Sequence, residues 1–359
     1  ASDHEQEMLD WGFVDARETT GPSESLLTDS RYTDHLASRG LLDAHRQYFE
    51  MYLRGTRPFP WELPPTPLPT EDHLDVFIGG LAQQWIQDCP DDKPFYLQVN
   101  FGGPHDPWDA PPEYRRLYNP DDMPVSARGE RTGPLSPHVQ LLLEHAPNKL
   151  HKMGKAQNQL LKANYYSKVT LIDDCVGAIV QSLKDRGLLD NTWIVFSSDH
   201  GEMLGDHGLL AKKVFYEGAI NVPCVFRPPN GRGQGSTDAL VNHLDIVATL
   251  IDICGAAPLQ DSPSQSIAPV LSGESATSDR QAVLSELGLP PSAFVMVRTN
   301  EHKLSADAKT REPIELYDLA EDPGELHNLI EREDYAELRQ HLLTHVMDPM
   351  LSSLDTSAW

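Results

Sequence analysis

Apolar residues in this chain recur in two patterns, which are short continuous runs and steps of three or four residues. Between residues 165 and 188 the positions Val169, Ile172 and Val176 follow the second pattern, which predicts a helix. The run at 193–198 that follows is apolar and short, which predicts a buried strand. A helix, a short connection and a strand in this order are typical of an α/β domain whose mixed, largely parallel sheet is flanked by helices.

The same two hydrophobic patterns predict further helices and strands upstream and downstream of this region. Helices are predicted at 75–89 and 243–255, and strands at 94–101 and 222–226. Six prolines between residues 58 and 69 predict an extended surface connection, because proline cannot continue a helix.

The pattern changes after about residue 275, where strands follow one another without helices between them. Short strands are predicted at 294–299, 303–306 and 314–319, and a terminal helix at 331–346. We therefore expect a large α/β domain over residues 1–275 and a smaller antiparallel α+β subdomain over residues 276–359.

The net charge of the chain narrows the classes of molecule that it is expected to bind. The 359 residues include 29 Lys and Arg against 54 Asp and Glu, a formal charge of −25. Such a chain repels phosphate backbones and anionic lipid surfaces, so we expect neither a nucleic-acid nor a membrane partner. No apolar run approaches the roughly 18 residues of a membrane span. The four cysteines lack a C-x-x-C pair, which gives a disulfide framework or structural zinc site little support.

The densest group of polar side chains follows the predicted strand 193–198. Asp199 and His200 leave the strand end, where ligands of open α/β sheets bind. His207 and Lys212 follow in the same loop. These residue types fit a metal and anion site. They fit equally a polar surface loop in which acidic residues cap a helix.

A second group follows the predicted strand 94–101. His105 lies between Pro104 and Pro107, in a stiff loop that could hold an imidazole ready to donate a proton. Trp108 could line a substrate pocket or could pack as a lid over the loop. From the residues alone, a histidine that merely caps its own turn is as good an interpretation.

Several segments taken together resemble the sulfatase family of the alkaline-phosphatase superfamily. The stretch 191–223 is similar to the second half of that family. Segments 103–107, 165–177, 244–250 and 315–329 resemble other family motifs, in family order, so the resemblance covers roughly residues 94–330.

The resemblance implies a role for each matching residue. Asp199 and His200 match a metal-ligand pair, and Lys212 matches the lysine that contacts the sulfate and the nucleophile. His105 matches the histidine that contacts the bridging oxygen and can help to protonate the leaving group. His207 and Trp108 are candidate substrate contacts by their positions in these loops, and an ordinary helix-cap histidine is an equally good interpretation of His207. The implied cofactor is one divalent ion. Calcium is usual in the family, and the imidazole ligand leaves manganese or zinc open.

The sequence also departs from the family. The family's early Asp-Asp pair and its Cys/Ser-x-Pro-x-Arg motif, the source of the formylglycine nucleophile, have no match in the chain. Asn221 stands where the family often has Arg. We therefore expect a C-terminal portion that lacks about a hundred preceding residues and is inactive by itself. A natural truncation and a two-chain enzyme are alternatives.

Three functions remain open at this point. The resemblance implies a sulfuric-ester hydrolase acting on a small-molecule or glycan sulfate ester. The alternatives are a phosphonate monoester or phosphodiester hydrolase of the same superfamily, and a catalytically dead fragment that binds sulfated glycans. The sequence leaves the alcohol half of the substrate and the oligomeric state open. It also leaves the localisation open, for which the resemblance favours the periplasm or the extracellular space over the cytoplasm.

Overall fold

The chain folds into two units in the computed structural model, which describes residues 3–53, 59–90, 92–126, 129–144, 153–231, 235–260, 262–288 and 293–352. The first unit comprises residues 1–125 and 148–192, and the second comprises residues 126–147 and 193–359. The boundary predicted near residue 275 lies inside the second unit and stays a prediction.

The first unit is helical in its described residues. Its α-helices span Asp3–Asp10, Arg31–Ser38, Leu42–Leu53, Leu74–Asp88, Pro112–Arg115 and Lys155–Asp185. The predicted helix 75–89 is confirmed as Leu74–Asp88. The predicted helix 165–188 is confirmed as part of Lys155–Asp185, which begins ten residues earlier because good helix formers such as Lys155 and Ala156 extend it.

Two of these helices pack closely against each other. Helix Leu74–Asp88 lies against Lys155–Asp185, and a Cβ atom at Gly79 would stand 3.2 Å from the Cβ atom of Cys175. The absent side chain at this crossing therefore lets the two backbones approach.

The predicted strand 94–101 is extended but belongs to no sheet in the described part of the chain. Phe95, Leu97 and Val99 are half-buried, whereas the intervening Tyr96 and Gln98 are exposed. This alternation is that of a strand with one buried face. The prediction of a buried, sheet-forming strand is wrong here, because pairing needs a hydrogen-bonding neighbour that an apolar run does not specify.

The second unit contains the strands, which we number β1 to β6. They span Ile194–Ser197, Cys224–Arg227, Val283–Leu287, Phe294–Arg298, His302–Asp307 and Pro313–Asp318. The five predicted strands in this region are confirmed to within one or two residues, and β3 is an additional one. β1 pairs antiparallel with β2, and β3 to β6 form an antiparallel sheet in chain order.

The α/β class and the antiparallel C-terminal sheet are thus confirmed, while the strand directions differ from the expected largely parallel sheet. Pairing among the six described strands is antiparallel, and the parallel pairing recorded in the described residues is the single bridge between Thr132 and His327. The helices of this unit span Pro137–Glu144, Glu217–Ile220, His243–Ile253, Ala268–Ser272, Ala336–His341 and Asp348–Ser352, with a π-helical turn at Leu342–Met347.

The core of the second unit lies between the four-stranded sheet and the terminal helix. Alternate residues Val295 and Val297 of β4 face Leu342 and Met347 of the helical segment within one cluster, together with Leu304. All five are at most 2% exposed. Burial of each such side chain contributes roughly 1.5–3 kcal/mol, which fixes the sheet to the helix. Each helix in the described ranges is too short or too polar to span a lipid bilayer.

Candidate active site

The first candidate loop begins where β1 ends at Ser197. The Asp199 side chain is exposed, and its Oδ1 accepts the main-chain N–H of His200 at 2.9 Å. Ser198 donates its hydroxyl to the carbonyl oxygen of His200 at 2.8 Å, and His243 contacts the carbonyl of Ser198 through Nε2 at 2.8 Å. These bonds turn the chain sharply, so that the acid and the imidazole both leave the end of the strand.

The hydrogen bonds of His200 determine which ring nitrogen carries its proton. Nδ1 lies 2.9 Å from the carbonyl oxygen of Gly201, which can only accept, so Nδ1 is the donor. In the neutral ring Nε2 then carries a lone pair, and it lies 3.4 Å from Oδ2 of Asp199. Two electron-rich atoms facing each other repel unless a proton or a metal cation lies between them. Asp199 and His200 therefore fit a divalent ion as a two-residue part of its ligand set.

In the part of the chain that the structure describes, Asp199 and His200 do not belong to a larger cluster of metal-ligating side chains. In the described ranges, no group of three or more His, Cys, Asp and Glu side chains lies close enough to hold a metal ion. A complete coordination sphere would need water, substrate or other protein groups beside this pair.

The backbone of the loop is held in an unusual conformation. Leu204, His207 and Ala211 have positive φ angles of 45°, 55° and 64°, and such angles cost free energy for residues with a side chain. The carboxylate of Glu202 accepts the N–H of Leu204 at 3.2 Å and that of Ala211 at 2.6 Å, and so braces both sides of the loop. Ser126 adds a bond to the carbonyl of Leu204 at 2.9 Å. The loop that carries Lys212 is therefore rigid.

His207 lies under the loop. Its side chain is 6% exposed and stacks on Tyr216, with ring centroids 3.9 Å apart and planes at 3°. Burial, together with the charge of Arg131, lowers the pKa of His207 to about 4. The ring is thus neutral at neutral pH. Lys212 is half-buried at the end of the loop.

Replacing Gly201 by alanine is expected to disturb this loop. An added Cβ would overlap the carbonyl oxygen of Gly218, a main-chain atom that cannot move aside cheaply. We expect a loss of about 1–3 kcal/mol in the free energy of unfolding, measured by denaturant titration. Gly177→Ala is the control, because that helical position has open space, and it should be neutral or stabilising by up to about 1 kcal/mol. Equal stability of the two variants would contradict the close packing at Gly201.

The second candidate loop belongs to the first unit. His105 is exposed, and its Nδ1 lies 2.9 Å from the carbonyl oxygen of Asp106 and 3.0 Å from the Oδ1 of the same residue. Nδ1 therefore donates, and Nε2 is the atom available for proton transfer. Trp108 is 3% exposed and donates Nε1–H to the carbonyl of Pro104 at 3.0 Å. Tyr52 donates its hydroxyl to the Asp106 carboxylate, which holds the loop from the other side.

A buried ionic network lies beneath this loop. Lys168 Nζ lies 3.2 Å from Oδ2 of Asp75 and 3.1 Å from Oδ1 of Asp109. The other carboxylate oxygen of Asp75 accepts the N–H of Gly103 at 2.8 Å. A Cβ atom on Gly103 would stand 2.7 Å from Asp75 Oδ2 and 3.0 Å from Lys168 Cε. The network therefore sets the position of the chain just before His105.

The charges in the network shift its pKa values together. Burial alone would raise the pKa of Asp75 and Asp109, but the nearby Lys168 and His73 lower both pKa values by more than that. Burial would lower the pKa of Lys168, and the two carboxylates raise it above its usual range instead. All three groups are therefore charged at neutral pH.

The six predicted site residues fall into two sets. Asp199, His200, His207 and Lys212 lie in one loop of the second unit, and His105 and Trp108 lie in one loop of the first. That both loops surround one anion stays a prediction. Sequence reasoning missed Lys168, Asp75 and Asp109. A lysine on the apolar stripe of a long helix was the available signal for them.

Comparisons with known proteins identify the relatives of this chain. The sulfatase family model matches residues 14–256, and the model of the C-terminal part of N-sulphoglucosamine sulphohydrolase matches residues 205–350. A choline-sulfatase of Rhizobium meliloti is 29% identical over 67% of this chain and 47% of its own length. An arylsulfatase of Clostridium perfringens is 28% identical over 70% of this chain and 52% of its own length. The chain thus spans about half the length of these relatives.

Solved structures with the same fold include phosphonate monoester hydrolases. A phosphonate monoester hydrolase of Agrobacterium radiobacter superposes with a TM-score of 0.73 at 26% identity, over 90% of this chain and 69% of that one. A phosphonate monoester hydrolase of Silicibacter pomeroyi gives 0.76 at 24% identity, over 91% and 69%, and supports the fold alone. Since a family model matches more than half of its residues, the chain belongs to the sulfatase family.

Proposed function

We propose that the protein containing this chain is a sulfuric-ester hydrolase that cleaves a sulfate monoester, with Asp199 and His200 as metal ligands. The observation that carries the proposal is the pair itself. With Nδ1 of His200 committed to Gly201, Nε2 and the Asp199 carboxylate present two electron-rich atoms to the same point, 3.4 Å apart. A divalent ion bound there would supply positive charge to the non-bridging oxygens of the ester. Calcium is the expected ion, with manganese and zinc as alternatives.

The other roles follow from charge and protonation. Lys212, on the same braced loop, would supply an ammonium group to the sulfate oxygens, where negative charge gathers as the S–O bond breaks. His105 keeps its Nδ1–H turned toward Asp106, so it would donate a proton from Nε2 to the leaving alcohol oxygen in its doubly protonated, imidazolium form. The nucleophile that attacks sulfur is expected to be a formylglycine outside residues 1–359. We propose that residues 1–359 alone are inactive.

A phosphonate monoester or phosphodiester hydrolase is the second candidate. The likeness to the phosphonate monoester hydrolase of Agrobacterium radiobacter favours it. Its substrates also gather negative charge on equatorial oxygens, so the same lysine and metal pair would serve. The residues of the two described loops do not distinguish a sulfate ester from a phosphonate monoester or phosphodiester. Kinetic measurements on both classes of ester are therefore needed.

The test compares esters and variants in the whole protein. We expect a higher kcat/KM on an aryl sulfate than on an aryl phosphonate monoester, and a fall of about 10²–10³-fold in kcat for Lys212→Ala. The neighbouring, exposed Lys213 gives the matched control Lys213→Ala, which should stay within a few fold. Full kcat in Lys212→Ala would refute the assigned role. Faster phosphonate than sulfate turnover would favour the second candidate.

The metal assignment is tested separately by calorimetric titration of Ca²⁺ and Mn²⁺ into the same variants. Asp199→Asn should weaken binding strongly, since it removes the charge of a ligand. Asp238→Asn, at an exposed carboxylate of the same unit, should leave binding unchanged. Identical titrations for the two variants would exclude Asp199 as a ligand.

A further inference from the structure

Two exposed histidines stand one above the other on the terminal helical segment. This segment runs as an α-helix over Ala336–His341, as a π-helical turn over Leu342–Met347, and again as an α-helix over Asp348–Ser352. The rings of His341 and His345 have centroids 5.1 Å apart and planes at 13°. Both side chains are exposed, while Leu342 and Met347 of the same segment point into the core. The pair therefore faces away from the core on an anchored support.

The π-helical turn explains why the two rings are aligned. Four residues of an α-helix turn about 400°, which leaves residue i+4 about 40° past residue i. A π turn is wider and turns less per residue, so the excess rotation falls. His345 is thereby carried more directly over His341. Such turns are rare and occur frequently at functional sites.

The hydrogen bonds of Thr344 determine the protonation of His345. The threonine hydroxyl donates its single hydrogen to the carbonyl oxygen of Gln340 at 2.8 Å. Its contact with Nδ1 of His345, also at 2.8 Å, must then be one in which Nδ1–H donates to the hydroxyl oxygen. The neutral ring carries its lone pair on Nε2, the outer nitrogen. A hydrogen bond that fixes the far ring nitrogen is what metal-binding histidines ordinarily have.

We propose that His341 and His345 form a bidentate site for a transition-metal dication of the Zn²⁺, Ni²⁺ or Cu²⁺ class. Two Nε2 atoms at the usual 2.0–2.1 Å from one ion place their ring centroids about 4.5–5 Å apart, close to the spacing observed here. The His345 ring is held by Thr344, whereas the exposed His341 side chain rotates within nanoseconds, so a χ2 rotation of His341 can bring its Nε2 toward that of His345. Imidazole pairs prefer these ions to calcium and magnesium, which select oxygen ligands.

The net charge of the chain and the number of ligating side chains determine the metal affinity of the pair. The chain's net charge of −25 attracts cations to its surface. Within the described ranges no third His, Cys, Asp or Glu side chain completes a cluster with this pair, so water would fill the remaining positions. The site is independent of the proposed hydrolase activity, and it links two turns of the segment that holds the four-stranded sheet.

Calorimetric titration of Ni²⁺ into the whole protein that contains this chain tests the proposal. We expect His341→Ala and His345→Ala each to lose one bound equivalent relative to the wild-type chain, with the helical circular dichroism unchanged. His4→Ala, at an exposed histidine near the other end of the chain, should keep the full stoichiometry. His200→Ala should keep the equivalent that depends on His341, which separates this site from the loop after β1. Titrations of His341→Ala and His345→Ala that match His4→Ala would overturn the proposal.

A second measurement tests the hydrogen bond to Thr344. Thr344→Val keeps the shape of the side chain and removes the hydroxyl, so Ni²⁺ affinity at the pair should fall about 10–100-fold. Ni²⁺ should also raise the thermal midpoint of the wild-type chain more than that of His341→Ala, because the ion binds only the folded arrangement. Equal midpoint shifts in the two proteins would count against the pair as the binding site.

Discussion

Lys168→Met is expected to lower the free energy of unfolding by about 3–5 kcal/mol. The ammonium group is buried, and it lies 3.2 Å from one carboxylate oxygen of Asp75 and 3.1 Å from one of Asp109. Methionine fills a similar volume but leaves both carboxylates buried without their cation. Breaking a buried ion cluster on one side is costly because the remaining charges lose their compensation.

Chemical denaturation of the variant and of Lys184→Met measures this loss. Lys184 lies on the same helix with an exposed side chain, so its replacement should change stability by less than about 0.5 kcal/mol. The triple variant Lys168→Met, Asp75→Asn, Asp109→Asn removes all three charges and should recover part of the loss. If Lys168→Met unfolds at the same denaturant concentration as Lys184→Met, the network does not contribute the stability assigned to it.

The pH dependence of the wild-type protein has a definite sign. The pKa values of Asp75 and Asp109 are lowered on folding, so their contribution is present above the unfolded value near 3.9 and is lost as pH falls toward their lower folded values. The pKa of Lys168 is raised, so its contribution is present below about 10.4 and is lost only as pH rises through the higher folded value. In Lys168→Met the deficit should shrink toward acidic pH, because the unpaired carboxylates then take up protons.

Lys303→Met is the corresponding change in the second unit and should cost a similar amount, about 3–5 kcal/mol. Lys303 Nζ lies 2.6 Å from Glu325, 2.7 Å from Glu217 and 2.9 Å from the carbonyl oxygen of Phe215. Burial raises the pKa of Glu325 although Lys303 opposes the shift. Burial would also raise the pKa of Glu217, but Lys303 and Arg298 lower it by more.

The pH profile of this second variant provides its own check. Without Lys303, Glu325 should take up a proton, so the stability deficit should be smaller at pH 5 than at pH 8. Urea titrations at both pH values measure it, with Lys309→Met, at an exposed lysine of the same unit, as the reference. A deficit that does not grow with pH would mean that the lost charge is not what destabilises the variant.

Sequence patterns predicted the local elements well where burial has a regular period. The helix Leu74–Asp88 and the strands Phe294–Arg298 and Pro313–Asp318 appear within one or two residues of their predicted bounds. Each carries apolar residues that its unit buries, among them Ile86 of the helix, Val295 and Val297 of β4 and Leu316 of β6. The extended segment 94–101 carries an equally apolar run, yet it pairs with no described strand. Local sequence encodes the extended backbone but not the neighbour that would make a sheet.

The candidate site was predictable in part for a related reason. Asp199 and His200 were predictable because they follow directly on an apolar strand, and this position can be recognised from the sequence alone. Lys168 is harder to recognise, since its only signal is a position on the apolar stripe of its helix, and only the fold brings Asp75 and Asp109 to it. The brace formed by Glu202 cannot be recognised in the sequence either, because its carboxylate accepts a main-chain N–H nine residues further along the chain.

The left-handed residues of the loop after β1 have a consequence for protein engineering. Leu204, His207 and Ala211 hold φ angles that few side chains tolerate, and Gly205 and Gly208 beside them have φ angles of 90° and 75°. Randomising this stretch would mostly yield misfolded clones rather than new selectivity. A mutant library aimed at altered substrate preference is better spread over surface positions elsewhere, with the backbone from Glu202 to Ala211 kept as a fixed scaffold.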